Sequence, residues 1–175
     1  MKLENIKLLP SLFRTIGFVD DVLDNIGDQQ TRVLISADLV RSLTEKHPSP
    51  IVLDNESLAI QSQFRNIDPR KLKPALGNLF AVTENLHCIT NAEKYAQTTA
   101  QDGINTAVIL LLFLGLEPNN KLFKPFLTLA AIHKLCDSLR DLKSDADNHQ
   151  ISIPPDKNTR QALKSEIKAR LQKPL

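Results

Sequence analysis

Asp141 and Asp145 stand four residues apart in Leu139-Arg-Asp-Leu-Lys-Ser-Asp145, where Ile132, Leu135, Leu139 and Leu142 repeat at the spacing of a helix's apolar stripe. On a helix that interval sets the two carboxylates one turn apart on the same side. Like charges so placed cost roughly a few tenths of a kcal/mol in water, and the cost grows as water is withdrawn. A bound cation removes it, so the pair is a candidate metal site, with Arg140 beside it as a fixed positive charge. The polar run Asp147-Asn-His-Gln150 ends the helix, and Pro154-Pro155 prevents it from resuming.

A second acidic group lies far away in sequence on the same kind of element. From Ser11 to Ile26, Leu12, Ile16, Val19, Leu23 and Ile26 recur at helical spacing, with Pro10 suited to the first turn and Gly27 to the stop. At about 100° per residue, Asp20 and Asp24 fall at the edge of the apolar arc beside Phe13 and Gly17, and Asp21 points further out. The first two are therefore expected to border buried surface.

The elements that must position these groups are all helical. A second helix is predicted from Thr31 to Lys46 with Val33, Leu34, Ala37, Val40 and Leu43 inward, stopped by His47-Pro-Ser-Pro50. Ile51-Val-Leu53 reads as a buried loop segment. Asp54 or Asn55 caps a short helix through Phe64, and Asp68-Pro69 opens a longer one to about His87 with Leu72, Leu76, Leu79, Phe80 and Leu86 as core positions. Thr90-Asn-Ala-Glu93 fits a capping box. The helix it starts carries Tyr95 and Ala100, passes Gly103 and continues into the apolar run Ala107–Leu116. That run is too short for a membrane span, which needs about 20 residues, and is expected at the centre of the core. The next helix begins near Asn120, and a last one, Asn158–Gln172, is amphipathic with a basic, solvated face.

The chain of 175 residues reads as a single all-α domain, 1–175, without repeats or linkers. Its 42% hydrophobic and 24% charged content is that of an ordinary globular protein, and five glycines and no tryptophan disfavour a turn-rich β sandwich. A net charge of +2 with dispersed Lys and Arg gives no footprint for nucleic acid. Cys88 and Cys136 lack metal-ligand spacing and are expected as buried thiols in a reducing compartment. No signal peptide is evident. The expected location is thus the cytoplasm, with a peripheral membrane contact allowed. His87, His133 and His149 do not form a ligand spacing with one another.

With both acidic pairs set on helices, the chain resembles a shortened, divergent member of the squalene and phytoene synthase family, whose fold is the all-helical isoprenoid synthase bundle. Leu12-Phe-Arg-Thr-Ile-Gly-Phe-Val-Asp-Asp-Val-Leu-Asp24 resembles its first aspartate motif, D-D-x-x-D. Tyr95-Ala-Gln-Thr-Thr-Ala100 resembles the Y-C-x-x-V-A start of its central helix. Leu139 to Pro154 resembles the second motif, L-R-D-x-x-x-D-x-x-x-G-R-x-Y-L-P. The resemblance implies that Asp20, Asp24, Asp141 and Asp145 are the catalytic aspartates that hold magnesium, and that Arg140, Tyr95, Lys134 and Asp137 lie at substrate-binding positions. The implied ligand is a prenyl diphosphate. Magnesium takes oxygen ligands from one or two carboxylates together with phosphates, and it makes the diphosphate a better leaving group.

The departures are specific. Gly17 and Phe13 replace an arginine and a tyrosine of the first motif, and Lys134 and Asp137 replace the Gln and Asn of Q-x-x-N-x-x-R-D. His149-Gln150 and Ser152 replace the Gly-Arg and Tyr after the second pair, and Gln101 replaces a small residue. Within these 175 residues no counterpart of the family's N-terminal segment or C-terminal helices is expected. Two readings follow from the resemblance. One is an active magnesium-dependent prenyltransferase or prenyl diphosphate lyase; the other is a relative that binds with degenerate catalysis. A third class is a non-catalytic helical assembly protein. A second copy of the chain or a protein partner is expected to cover the shortened core.

Overall fold

The computed structural model describes residues 3–45, 47–51 and 53–172, and among them all regular structure is helical. Eight helices follow in order: α1 (Leu3–Lys7), α2 (Leu9–Asp24), α3 (Gln29–Thr44), α4 (Asn55–Phe64), α5 (Pro69–Cys88), α6 (Ala92–Phe113), α7 (Phe123–Asp147) and α8 (Lys157–Leu171). The protein is all-α. Lys46 and Val52, named in the sequence reading, lie outside the described residues. Helix α1 carries no marked periodicity and was not expected.

The chain forms two compact units. The first holds the chain through Phe80 together with Ile109–Glu117, and the second holds Ala81–Val108 with the chain from Pro118 onward. In the first unit Leu12, Val40, Ile60, Phe64, Leu72, Leu76, Ile109 and Phe113 make one apolar core. The rings of Phe64 and Phe113 meet at 5.3 Å in a tilted arrangement that aromatic quadrupoles favour. Asp28 and Asp54 cap α3 and α4 by accepting the amides of Thr31 and Ser57. Gly115, at φ 70°, closes α6: its own amide reaches Leu112 and that of Leu116 reaches Leu111.

Helix α3 is rolled relative to expectation. Val33 (48% exposed) and Leu34 (62% exposed) face outward, as does Ala37, whereas Ser36, Leu39, Val40, Ser42 and Thr44 are buried. The hydroxyls make this affordable in polar terms, because Ser42 donates to the Leu39 carbonyl at 2.9 Å and Thr44 to the Val40 carbonyl at 2.7 Å. Helix α2 is rolled too. Its covered side runs through Leu12, Thr15, Val19, Val22 and Leu23, with the Thr15 hydroxyl 3.2 Å from that of Ser57, and Ile16 is left at the open edge.

In the second unit Ile89, Tyr95, Ala96, Ala100, Ala131, Leu135, Leu142, Ile153 and Leu163 form the core, shared by α6, α7, α8 and the loop before α8. The start of α6 is capped by Asn91, whose Oδ1 accepts the Lys94 amide at 2.9 Å, rather than by the expected Thr90. His87 donates from Nδ1 to the Gln150 carbonyl at 2.7 Å, and the Ser152 hydroxyl donates to the His87 carbonyl. The loop after α7 is thereby tied to the end of α5. Asp156 caps α8 through the Thr159 amide at 2.9 Å. Cys88 and Cys136 are both exposed, contrary to the expected buried thiols, because each falls on the outward side of its helix.

Candidate functional site

The second aspartate pair lies on the C-terminal part of α7, where Leu135 and Leu142 are fully buried and fix which flank faces outward. Arg140 clamps Asp141 at two points, Nε to Oδ1 at 2.9 Å and a terminal nitrogen to Oδ2 at 2.7 Å, and also reaches Asp137 at 3.2 Å. The bond to Asp141, then the charges of Asp141 and Asp137, push the guanidinium's pKa up. In return the Arg140 bond holds the Asp141 carboxyl below the usual carboxylate range. This clamp is exposed, so little energy is needed to open it. His133 adds an Nδ1 contact to Asp137 at 3.0 Å.

Tyr95, on α6, is 2% exposed. Burial pushes its phenol pKa up, the charge of Asp145 adds to the rise, and the hydroxyls of Ser138 and Thr99 and the Lys134 ammonium act against it. The Thr99 hydroxyl is fully buried and meets no hydrogen-bond partner of good geometry among the described residues. The charges of Asp145 and Lys134, from points about 16 Å apart along α7, thus act in opposite directions on the Tyr95 phenol of α6.

Sequence reasoning missed the group beneath them. Asp102, on α6, is 5% exposed and pairs with Lys134 at 3.2 Å, while the Thr83 hydroxyl from α5 donates to it at 3.3 Å. The signal was present: Tyr95, Thr99 and Asp102 stand at i, i+4 and i+7, one face of one helix. Gly103, next in sequence, lets the helices touch. A Cβ there would stand 2.7 Å from the Ala130 carbonyl oxygen and 2.8 Å from the Lys134 Cβ. His149, where the resembled motif has glycine, adopts φ 59° and ends α7 with its amide on Ala146 and that of Gln150 on Asp145.

The first pair is corrected. Asp20 and Asp24 lie on the exposed face of α2 in the first unit, beside an exposed Gly17 and a Phe13 that is 53% exposed, so they do not border buried surface. The roll of α2 toward Thr15 and Val22 carries them outward. Arg14, on the same face, pairs with Glu56 at 2.6 Å.

For magnesium, the donor chemistry of the α7 pair fits. Two carboxylates one turn apart offer oxygen ligands, and a cation that keeps several waters or phosphate oxygens needs few from protein. Among the described residues no three His, Cys, Asp or Glu side chains gather to hold a metal by themselves. Cavities lie in each unit among the described residues. That of the first unit, about 240 Å³, is lined by Asn5, Gln63, Lys71, Phe113 and Glu117 among others; that of the second, about 540 Å³, runs between Ala92, Ala96, Ala162 and Ala169. Neither is lined by Tyr95, Lys134, Asp141 or Asp145.

Comparison of the chain with protein-family models, curated proteins and solved structures finds no match. Among the described residues no helix is long and apolar enough to cross a membrane.

Proposed function

We propose that the chain is a squalene and phytoene synthase-like protein that binds a prenyl diphosphate at the second aspartate motif, with catalysis degenerate. The observation that carries this reading is the acidic flank of α7, where the buried Leu135 and Leu142 turn Asp141 and Asp145 to one side, a turn apart, and Arg140 clamps Asp141 at two points. The charge of Asp145 also reaches the buried Tyr95 of α6. In this reading Asp141 and Asp145 hold magnesium, and Arg140 moves from Asp141 to a phosphate oxygen. Magnesium would supply charge neutralisation of the diphosphate. Tyr95 and the buried Leu135 and Leu142 fix the orientation of the acidic flank. Loss of the family's arginine and tyrosine at Gly17 and Phe13 argues against efficient turnover. The setting proposed is the cytoplasm, at or near a membrane where prenyl chains reside.

Calorimetric titration with farnesyl diphosphate, with and without magnesium, tests the reading. Binding that requires magnesium and disappears in Asp141→Asn/Asp145→Asn is expected; binding that survives that double substitution makes the site assignment wrong.

A second reading, a non-catalytic helical assembly protein, is favoured by exposed apolar residues of the first unit, Phe13 and Phe18 on α2 and Val33 and Leu34 on α3. Light scattering over a hundredfold concentration range distinguishes it. A mass that stays monomeric removes self-assembly from consideration.

A further inference from the structure

Asn5 on α1 is 5% exposed, and its Nδ2 donates to the Phe113 carbonyl at the end of α6. The other half of the same amide is unmet: Oδ1 is closed off from water and finds no donor among the described residues. A buried acceptor in that state is destabilising, and native structures leave few of them. Asn5 also lines the cavity of about 240 Å³ in the first unit, together with the apolar side chains of Ile67, Leu112 and Leu116. That volume is below the roughly 300–1,000 Å³ of a drug-sized pocket, so a fitting occupant is small. The backbone sets its sign. Helices α4 and α6 both end at this cavity, at Phe64 and Phe113, and a helix C-terminus carries a partial negative charge. The positive pole at the start of α5 is already met, because Asp68 accepts the Arg70 amide at 3.0 Å. Lys71 is likewise taken up by Glu117, at 2.8 and 2.6 Å.

We propose that this cavity binds a small primary amine in its ammonium form, which donates one N–H to Asn5 Oδ1 and lays its alkyl chain on Ile67, Leu112 and Leu116. An ammonium has three donors and no acceptor, which suits a site whose open group is an acceptor. Its charge is favoured by the two helix ends. Glu117 takes a second N–H, since its pair with Lys71 is exposed and opens at little cost. A carboxylate or a phosphate would bring the wrong sign to the same groups. The site lies wholly within the first unit and is independent of the reading of the α7 aspartates.

The test is a nuclear magnetic resonance titration of the full chain at neutral pH with probes of similar size. Butylammonium has both charge and donors, tetramethylammonium has charge without a donor, butanol has a donor without charge, and butyrate has the opposite charge. Butylammonium is expected to bind with a Kd on the order of 1 mM, as so small a ligand allows. It should shift the Asn5 side-chain amide together with the backbone amides of Asn66 and Gly115, which also line the cavity. The other probes are expected to bind at least about tenfold more weakly. In Asn5→Leu, which roughly keeps the volume and removes the acceptor, butylammonium is expected to weaken about tenfold or more. Circular dichroism reports whether that variant folds; if it does not, the comparison of probes on the wild-type chain decides alone. Tetramethylammonium or butanol binding as tightly as butylammonium overturns the proposal, the first by removing the donor and the second by removing the charge. Undiminished binding by a folded Asn5→Leu overturns it as well. Shifts scattered over exposed carboxylates, or none up to roughly 100 mM, leave the cavity to water and overturn it too.

Discussion

Gly103 on α6 and Ala130 on α7 are in backbone contact: a Cβ at Gly103 would lie 2.7 Å from the Ala130 carbonyl oxygen. Neither partner can give way cheaply, since one is helix backbone and the other the Cβ of Lys134. Gly103→Ala is therefore expected to lower stability by about 1–3 kcal/mol through overpacking, which outweighs the roughly 1 kcal/mol gained in helix propensity. Urea unfolding measures it. A variant as stable as wild type, or more so, would show that the helices separate freely at this point.

The phenol of Tyr95 provides a second prediction. Burial first and the Asp145 charge second disfavour the phenolate, so its ultraviolet titration is expected above the usual value of about 10. Asp145→Asn should lower it without returning it to normal, because burial remains. The folded-state pKa is raised, so this group's contribution to stability is intact below about pH 10 and is lost as pH rises toward the folded value. Alkaline unfolding should accordingly be shallower in Asp145→Asn. A midpoint unmoved by that substitution would separate Asp145 from the phenol.

Both thiols are expected to react with a disulfide reagent in the native protein, at two equivalents per chain and without denaturant, because Cys88 and Cys136 are exposed. A slow reaction that waits on unfolding would return them to the buried state that the apolar surroundings suggested.

The sequence was legible where local chemistry decides structure. The starts of α4, α5 and α8 lie at Asp54, Asp68 and beside Asn158, and two stops lie at Gly115 and the polar run after Asp147, whereas α2 ends at Asp24 on an Asn25 cap, short of the expected Gly27. The faces of helices were less legible. On α3 the hydroxyls of Ser42 and Thr44 bond to carbonyls of their own helix, which lets polar residues go inward while Val33 and Leu34 remain outside. A tally of apolar positions cannot register that. At the candidate site the acids and Tyr95 were visible by type and spacing, and the spacing set Asp102 on the face of Tyr95 and Thr99, but its partner was not visible. A single acid ahead of an apolar run gives no sign that a lysine from another helix will meet it.

His149 carries a conformational cost that its replacement should relieve. At φ 59° it occupies the left-handed position after α7, where the two closing hydrogen bonds to Ala146 and Asp145 require it. An L side chain there costs about 1–2 kcal/mol against glycine's freedom, and glycine returns part of that gain in unfolded-chain entropy. His149→Gly is expected to stabilise the chain by about 0.5–1 kcal/mol, and His149→Val to destabilise it. Thermal unfolding decides the sign, and a destabilised glycine variant would mean that the imidazole makes a compensating interaction.

Acid stability should be set largely by the helix caps. The Asp28 carboxyl is held below its usual value of 3.8 by the Thr31 hydroxyl and amide, Asp54 by the Ser57 amide and Asp156 by the Thr159 amide. Groups with depressed folded-state values contribute stability that is present above the unfolded value and lost as pH falls through the folded one. The window therefore opens near pH 4 and extends downward. Asparagine caps nearly as well as aspartate but does not titrate there. The triple variant Asp28→Asn/Asp54→Asn/Asp156→Asn is expected to match wild type closely at neutral pH and to lose less stability between about pH 4 and pH 2. The check is the urea midpoint followed across that range. Parallel acid profiles for the two proteins would shift the responsibility to other carboxylates, of which Asp141 in its Arg140 clamp is the first to substitute.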